Sequence, residues 1–212
     1  MGDGGKAAIA GGWPRVLLLR FFVAVFAAAM ALLAALAAAH AEPRATRCGI
    51  ERWAVKTLTD PAAGTVSFTP RPTTVAAMRA LRVPHVSGST PRIRGIETHT
   101  YRVSALLVAA KRELDRDIHL VIAAPATGKT MIVEFPHPSC TAGARHRAAM
   151  TSALQQFLAA CGTTPFSSYR QLRGTAVLSG VGFVDTVHGQ RGVAPNGIEL
   201  HPALGFRSAS CS

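Results

Sequence analysis

Two short segments with alternating apolar residues constrain the fold of this chain more than any other feature. Ile118–Ala123 and Thr130–Phe135 each place an apolar side chain at every second position, as β-strands do. The six residues between them include Pro125, which fixes φ, and Gly128, which permits a positive φ. The sequence therefore predicts a β-hairpin in the middle of the chain.

The register of this hairpin follows from its pattern. A symmetric turn makes apolar residues face each other in three pairs: Ile118 with Phe135, Leu120 with Val133, and Ile122 with Met131. A slip by one residue would place apolar side chains opposite polar ones, which disfavours that alternative. The same register predicts that His119 lies opposite Glu134 on the other face of the hairpin.

The hairpin belongs to a longer series of elements. The predicted strands are Thr98–Arg112, Ile118–Ala123, Thr130–Phe135, Gly174–Asp185 and Ile198–Phe206, with a helix at Arg145–Ala160. The first strand is long and apolar on both faces in its second half, which predicts a bend. This order resembles the oligonucleotide/oligosaccharide-binding (OB) fold. The resemblance implies a mainly β, five-stranded OB-like barrel (β-β-β-α-β-β) over residues 98–207.

An N-terminal extension, residues 42–97, is expected to pack on the barrel. Trp53–Leu58 alternates and predicts an extra strand or an extended arm. Pro70 and Pro72 predict an interruption of regular structure. Thr73 or Thr74 can cap a short helix that runs through Leu81.

Residues 1–41 have the features of an export signal. Lys6, Arg15 and Arg20 precede an uncharged apolar run, Phe21–Ala39, and small residues at Ala39 and Ala41 suit a signal peptidase. We expect this segment to engage the membrane during export and to be cleaved near Ala41, which makes the protein periplasmic or extracellular. The alternative is an uncleaved anchor, since the run approaches the ~20 residues that span a bilayer.

Export changes the interpretation of the four cysteines, Cys48, Cys140, Cys161 and Cys211. In an oxidising compartment an even number of cysteines predicts disulfides, here two. Three pairings are open. Cys140 and Cys161 flank the predicted helix and can pair only if that helix is short or the loop folds back.

The chain is strongly basic, with a formal net charge of +12. Residues beyond 41 still hold 20 basic against 10 acidic side chains. An anionic partner is one interpretation: nucleic acid, an acidic glycan or a lipid head group. The other is codon bias in a GC-rich genome, because the arginines are scattered along the chain and do not form one run.

Three segments also resemble those of a group of uncharacterised exported bacterial proteins. They are Cys48–Trp53, Asp117–Val121 and His188–Pro202. The resemblance supports the fold, and it implies no established activity.

Candidate ligand-binding residues lie on the hairpin and on the loops that border the binding surface of an OB barrel. His119 and Glu134 have the chemistry of metal ligands or of an acid–base pair, or they form a simple cross-strand hydrogen bond. The segment 185–202 is either a ligand rim or a self-contained loop. The full set of candidates is Arg116, His119, Glu134, His188, Gln190, Arg191, Asn196, Glu199 and His201.

The sequence assigns no catalytic residue, metal or cofactor. We expect an exported β-barrel module that binds an unknown ligand, for which the basic charge favours a polyanion. The alternative is a metal-assisted hydrolase such as a secreted nuclease, which the sequence supports with Asp115, Asp117 and Glu134 beside Arg116. A hydrolytic pairing of His188 with Glu199 or Asp185 is a further form of this alternative.

Overall fold

Five strands close into a barrel in the computed structural model of the chain, which describes Met1, residues 48–165, residues 168–209 and Cys211. The described residues form seven strands, of which β1 and β5 lie outside the barrel. In chain order they are β1 (Ser67–Pro72), β2 (His99–Arg112), β3 (Ile118–Ala123), β4 (Thr130–Phe135), β5 (Arg170–Gln171), β6 (Thr175–Val184) and β7 (Ile198–Ser208). Hydrogen bonding joins β2, β3, β4, β7 and β6 in that order, and β6 pairs with β2 to close the ring. Within the barrel only β4 and β7 run parallel. The mainly β, OB-like barrel predicted from the sequence is confirmed.

In the described part of the chain three α-helices accompany the strands: α1 (Trp53–Lys56), α2 (Val75–Arg79) and α3 (Arg147–Cys161), with 3-10 turns at Pro61–Thr65 and Pro138–Cys140. Helix α3 packs Phe157 against Phe135 and Phe206, with ring centroids 5.2 and 5.4 Å apart. Each fully buried aromatic side chain contributes about 1.5–3 kcal/mol, so this contact fixes α3 to the barrel. Among the described residues no helix has the length and apolar character that a membrane span needs. The predicted export signal lies outside the described residues apart from Met1.

Strand β2 bends, as its two-faced apolar pattern predicts. Residues 100–106 pair with β6, and residues 106–112 pair with β3. The register shifts between Leu107 and Ala109, which is where an irregularity redirects the strand. One strand thereby borders two neighbours and lets the barrel close.

The β3–β4 hairpin has the predicted register. Ile118 pairs with Phe135, Leu120 with Val133, Ile122 with Met131, and His119 with Glu134. The three apolar pairs lie in the barrel core. His119 and Glu134 therefore project from the outer face.

The prediction of a strand or extended arm at Trp53–Leu58 is wrong. The segment forms the short helix α1, in which the backbone N–H of Lys56 donates to Arg52 and that of Thr57 donates to Trp53. Val55 and Leu58 are buried, so one turn of helix places these two side chains in the core, although the alternating apolar pattern suggested a strand.

The prediction that Pro70 and Pro72 interrupt regular structure is also wrong. They lie in β1, which pairs in parallel with β2 at the sheet edge. The register shifts between Ser67 and Arg71, so Pro70 needs no ladder hydrogen bond there. An edge strand with an irregularity is the setting in which a sheet tolerates proline.

A buried ion pair within the extension binds the barrel at Val184. Arg52 donates to both carboxylate oxygens of Glu97, at 2.8 and 2.6 Å, and to the carbonyl oxygen of Val184 at 2.6 Å. Glu97 also accepts from the backbone N–H groups of Val184 and Ile93. Four N–H donors thus converge on one carboxylate that is fully buried.

The four cysteines form two disulfides, Cys48–Cys140 and Cys161–Cys211. The 15-residue helix α3 separates Cys140 from Cys161, which removes the pairing across that helix. Two disulfides indicate an oxidising, exported environment.

Two glycines allow a matched test of backbone strain. Gly128 and Gly197 have φ values of 67° and 68°, but a Cβ at Gly128 meets nothing within 4 Å, whereas one at Gly197 lies 2.2 Å from the carbonyl oxygen of Asp185. We expect Gly128→Ala to cost about 1–2 kcal/mol for the left-handed conformation alone, and Gly197→Ala to cost clearly more. Urea denaturation of the two variants measures the difference, and equal losses would contradict it.

Candidate functional site

Four of the sequence-predicted candidates converge on the outer face of the barrel. His119 comes from β3, Glu134 from β4, and Glu199 and His201 from β7. Ile198 and Leu200 point into the core, so the alternating pattern turns Glu199 and His201 outward, as predicted. With Asp117 these residues form what we call the polar cluster: Asp117, His119, Glu134, Glu199 and His201. All five are at least nine-tenths buried.

The loop between β2 and β3 positions Asp117. Arg116 adopts a positive φ of 76°, and the backbone N–H of Glu113 donates to the carbonyl oxygen of Asp117 at 2.9 Å. The Oδ1 atom of Asp117 accepts the backbone N–H of His137 at 2.9 Å. This leaves Oδ2 directed into the polar cluster.

The loop between β6 and β7 covers part of the same face. Gly192 packs so closely that a Cβ there would lie 2.5 Å from Val121, and the carbonyl oxygen of Arg191 lies 3.0 Å from Nε2 of His119. A carbonyl oxygen only accepts, so Nε2 donates to it. Nδ1 of His119 then faces Oε1 of Glu134 at 3.1 Å and Oε1 of Glu113 at 3.5 Å.

His201 is oriented in an analogous way. Its Nδ1 lies 3.2 Å from Oε2 of Glu134 and 3.3 Å from Oε1 of Glu199. Carboxylates accept this proton and direct the other ring nitrogen, Nε2, away from them. Nε2 faces Oδ2 of Asp117 at 3.7 Å, which is too long for a hydrogen bond.

Neither of those facing atoms has a hydrogen-bond partner among the described residues, although they lie within the distance of an ion pair. An unsatisfied buried polar atom costs about 1–3 kcal/mol, so a group bound between Oδ2 of Asp117 and Nε2 of His201 would be stabilised by both. A nitrogen and a carboxylate oxygen are both good ligands for a divalent metal ion.

Two sets of three side chains can hold such an ion. The inner set is Asp117, Glu134 and His201, and the outer set is Glu113, His119 and Glu134. In each set one ligand atom per residue lies within 4.8 Å of the others. A cation bound about 2.1 Å from its ligands separates neighbouring ligands by about 3.0–3.4 Å, so small side-chain movements suffice for binding.

Burial and mutual contact shift the pKa values of the cluster. Burial lowers the pKa of His119, but hydrogen bonds to Glu113 and Glu134 outweigh it and raise the pKa to about 10. Burial likewise lowers the pKa of His201, and Glu134 and Glu199 raise it to about 10. Burial, and then the charge of Glu134, raises the pKa of Glu199 to about 7.

The pKa values of the other two buried carboxyl groups shift in opposite directions. Burial, followed by the charge of Asp115, raises the pKa of Asp117 well above its usual value. Burial also raises that of Glu134, but hydrogen bonds from His119 and His201 hold it well below its usual value. Glu134 is therefore the carboxylate that both imidazoles stabilise.

Basic and aromatic side chains border the exposed edge of the cluster. Glu113 retains 29 % exposure of its side chain and pairs with Lys111 at 2.9 Å. The Nζ atom of Lys111 and the guanidinium of Arg191 lie 5.1 and 4.9 Å from the ring centre of Tyr169. The Tyr169 ring in turn meets the His119 ring edge-on at 5.6 Å. We call Lys111, Tyr169 and Arg191 the rim.

The other candidates lie outside the polar cluster. Arg116 extends towards Ser139. Gln190 bonds the loop's own backbone at His188 and Thr186. Asn196 donates to the carbonyl oxygens of Met78 and Leu81, which ties the loop to the end of α2.

His188 is exposed. Among the described residues no hydrogen bond or ion pair joins its side chain to Glu199 or Asp185, and Asp185 pairs with Lys56. The loop between β6 and β7 therefore bonds to itself at its tip, and near Arg191 its backbone contacts the polar cluster.

Three contributors were not among the candidate ligand-binding residues. Asp117 entered within the nuclease alternative, Glu113 entered only as the start of the loop expected near the binding surface, and Lys56 had no predicted role at the site. The charged turn at residues 113–117 was a usable signal for the two acids, because that loop borders the OB binding surface. Lys56 reaches the site only through the packing of α1, where its Nζ lies 5.2 Å from the ring centre of Phe183.

No protein-family model matches the chain, and no curated protein or solved structure is similar enough to it to count as a match. The geometry of the polar cluster and its rim is therefore the basis for a functional conclusion.

Proposed function

We propose that this protein is a metal-dependent hydrolase of phosphodiesters in nucleic acid. One observation carries the proposal: the unpaired atoms Asp117 Oδ2 and His201 Nε2 face each other 3.7 Å apart in a buried site. A divalent cation between them would satisfy both. Such a cation would supply a Lewis acid for the phosphoryl oxygen and would lower the pKa of water.

The chain's own residues have separate tasks in this proposal. Asp117 and His201 hold the cation. Glu134 and Glu199 accept the Nδ1 proton of His201 and keep its ring in the binding orientation, as carboxylates next to metal-bound histidines do. Glu113 lies at the edge that solvent reaches, so a substrate approaches the cluster from that side.

The rim supports an anionic substrate. Lys111 and Arg191 bring two cationic groups to the ring of Tyr169, close to Glu113 and His119. Cationic side chains position a phosphate, and an aromatic ring offers a surface for a base. The net charge of +12 adds long-range attraction for a polyanion.

The reaction is a hydrolysis. A water oxygen forms a new bond to phosphorus while the P–O bond to the leaving alcohol breaks. One proton of the water leaves to solvent or to a carboxylate at the edge, and the leaving oxygen takes up a proton.

A second candidate function is the binding of an anionic ligand without catalysis. The hydrogen bonds of Glu134 to both histidines favour it, because protonated imidazoles can balance the carboxylates without a metal. In that case the rim would bind nucleic acid equally well in the presence of a chelator.

Metal-free protein tests both functions. We expect Mn²⁺ or Zn²⁺ to raise the melting temperature and to activate cleavage of single-stranded DNA, RNA or bis(p-nitrophenyl) phosphate. Asp117→Asn keeps the acceptor for His137 but removes the ligand charge, so it should abolish cleavage and reduce the rise in melting temperature. The control His85→Ala removes an exposed histidine and should change neither.

Cleavage that survives in EDTA, or the absence of cleavage with every divalent metal, would contradict the hydrolase. Binding of DNA in EDTA without cleavage would instead support the second candidate.

A further inference from the structure

We propose that the polar cluster binds two divalent cations at once, one on each imidazole, with the carboxylate of Glu134 common to both positions. The inference deepens the proposed function, because it concerns the same site. It rests on the orientation of the two histidines, on the place of Glu134 between them, and on the different exposure of the two positions.

In each histidine a hydrogen bond from one ring nitrogen fixes the orientation of the ring, and the other nitrogen faces the proposed cation position. His119 donates from Nε2 to the carbonyl oxygen of Arg191 and presents Nδ1 to Glu113 and Glu134. His201 donates from Nδ1 to Glu134 and Glu199 and presents Nε2 to Asp117. Nδ1 of His119 carries a proton, which it donates to Oε1 of Glu134. Metal binding to a histidine releases such a proton, so a divalent cation at this position would take its place.

Glu134 connects the two positions. Its Oε1 atom lies 3.1 Å from His119, and its Oε2 atom lies 3.2 Å from His201. The same residue belongs to both ligand sets, with Glu113 and His119 on one side and Asp117 and His201 on the other. With two cations bound, Glu134 would turn an oxygen from Nδ1 of His201 to the inner position, and Glu199 would remain the acceptor of the Nδ1 proton. Two-metal sites hold their ions about 3.5–4 Å apart, a distance that one carboxylate can span.

Burial favours two cations over one. Asp117, Glu134 and Glu199 are all at least nine-tenths buried in the space around the two rings. Carboxylates removed from water need compensating positive charge or protons. A single cation at the inner set would leave only the His119 proton between that ring and the carboxylates of Glu113 and Glu134, whereas a second cation in its place would bring one more positive charge to them.

The two positions differ in access. The side chains of the inner set are at most 8 % exposed, whereas Glu113 of the outer set is 29 % exposed. The outer position also borders the rim. The inner cation is therefore slow to exchange, and the outer cation exchanges readily and lies on the side from which a substrate approaches.

Metal stoichiometry tests this proposal. The mature, disulfide-bonded chain is freed of metal, incubated with Mn²⁺ alone, passed through gel filtration and assayed for bound Mn²⁺. We expect two equivalents in the wild type, one in Glu113→Gln, one in Asp117→Asn and none in the double variant. Electron paramagnetic resonance should show a coupled Mn²⁺ pair in the wild type and isolated Mn²⁺ in each single variant.

Other results would overturn the inference. One equivalent in the wild type, or loss of all metal in Glu113→Gln, would exclude a pair. If the wild type binds one equivalent and still cleaves DNA, only the pair fails; if it binds two and cleaves nothing, the hydrolase fails and the pair stands. His85→Ala controls for binding at an exposed histidine, and circular dichroism checks that each variant folds.

Discussion

Glu134→Gln is expected to abolish metal-dependent hydrolysis and to lower the affinity for divalent cations by at least about 100-fold. Outer-shell partners of a metal already contribute 10- to 100-fold, and Glu134 belongs to both ligand sets. Glutamine has the same shape but no charge, and its amide group cannot accept from both histidines. Isothermal titration with Mn²⁺ and the rate of DNA cleavage measure the two effects.

The matched control for this variant is His188→Ala. His188 is exposed in the loop between β6 and β7, outside the polar cluster, so its removal should leave affinity and rate within a factor of about two. A Glu134→Gln protein that binds Mn²⁺ normally would show that the cluster is a structural network and not a metal centre.

Glu97→Gln is expected to destabilise the protein by about 3–5 kcal/mol, the usual cost of removing one partner from a buried ion pair. Arg52 would keep its charge in a site where it is 6 % exposed. Both oxygens of Glu97 accept two N–H groups each, so the amide of glutamine would direct its own N–H groups at two donors. The free energy of unfolding from urea titration gives the loss.

Glu51→Gln provides the comparison, because Glu51 is an exposed carboxylate next to Arg52 in sequence. Its removal should change stability by less than about 0.5 kcal/mol. A loss below about 1 kcal/mol for Glu97→Gln would mean that the extension stays on the barrel without this ion pair.

The barrel could be predicted from the sequence because each of its strands has a recognisable pattern of apolar residues. The period of two in residues 118–123 and 130–135 fixed both strand ends and their register. Local patterns were less informative in the extension. Whether Trp53–Leu58 forms a strand or a helix depends on tertiary contacts such as that of Arg52 with Glu97, and no local pattern reports these contacts.

Part of the candidate site could be predicted from the same patterns along the strands. Alternation placed His119 and Glu134 opposite each other and put Glu199 and His201 on one face. It did not show that β4 and β7 lie side by side in parallel, and that pairing brings the two groups together. The burial of the cluster depends on how the loop with Arg191 and the helix with Lys56 pack over it, which again requires the three-dimensional structure.

Strand β7 has a consequence for how the proposed centre acquires its ions. It is the last strand of the barrel, it pairs with both β4 and β6, and it supplies Glu199 and His201. The inner set is incomplete until β7 supplies His201, so capture of the inner ion would coincide with completion of folding. Zn²⁺ and Cu²⁺ outcompete Mn²⁺ for most nitrogen and oxygen ligands. Since the disulfides form in an oxidising compartment, the metal supply of that compartment, rather than that of the cytosol, decides which ion becomes enclosed.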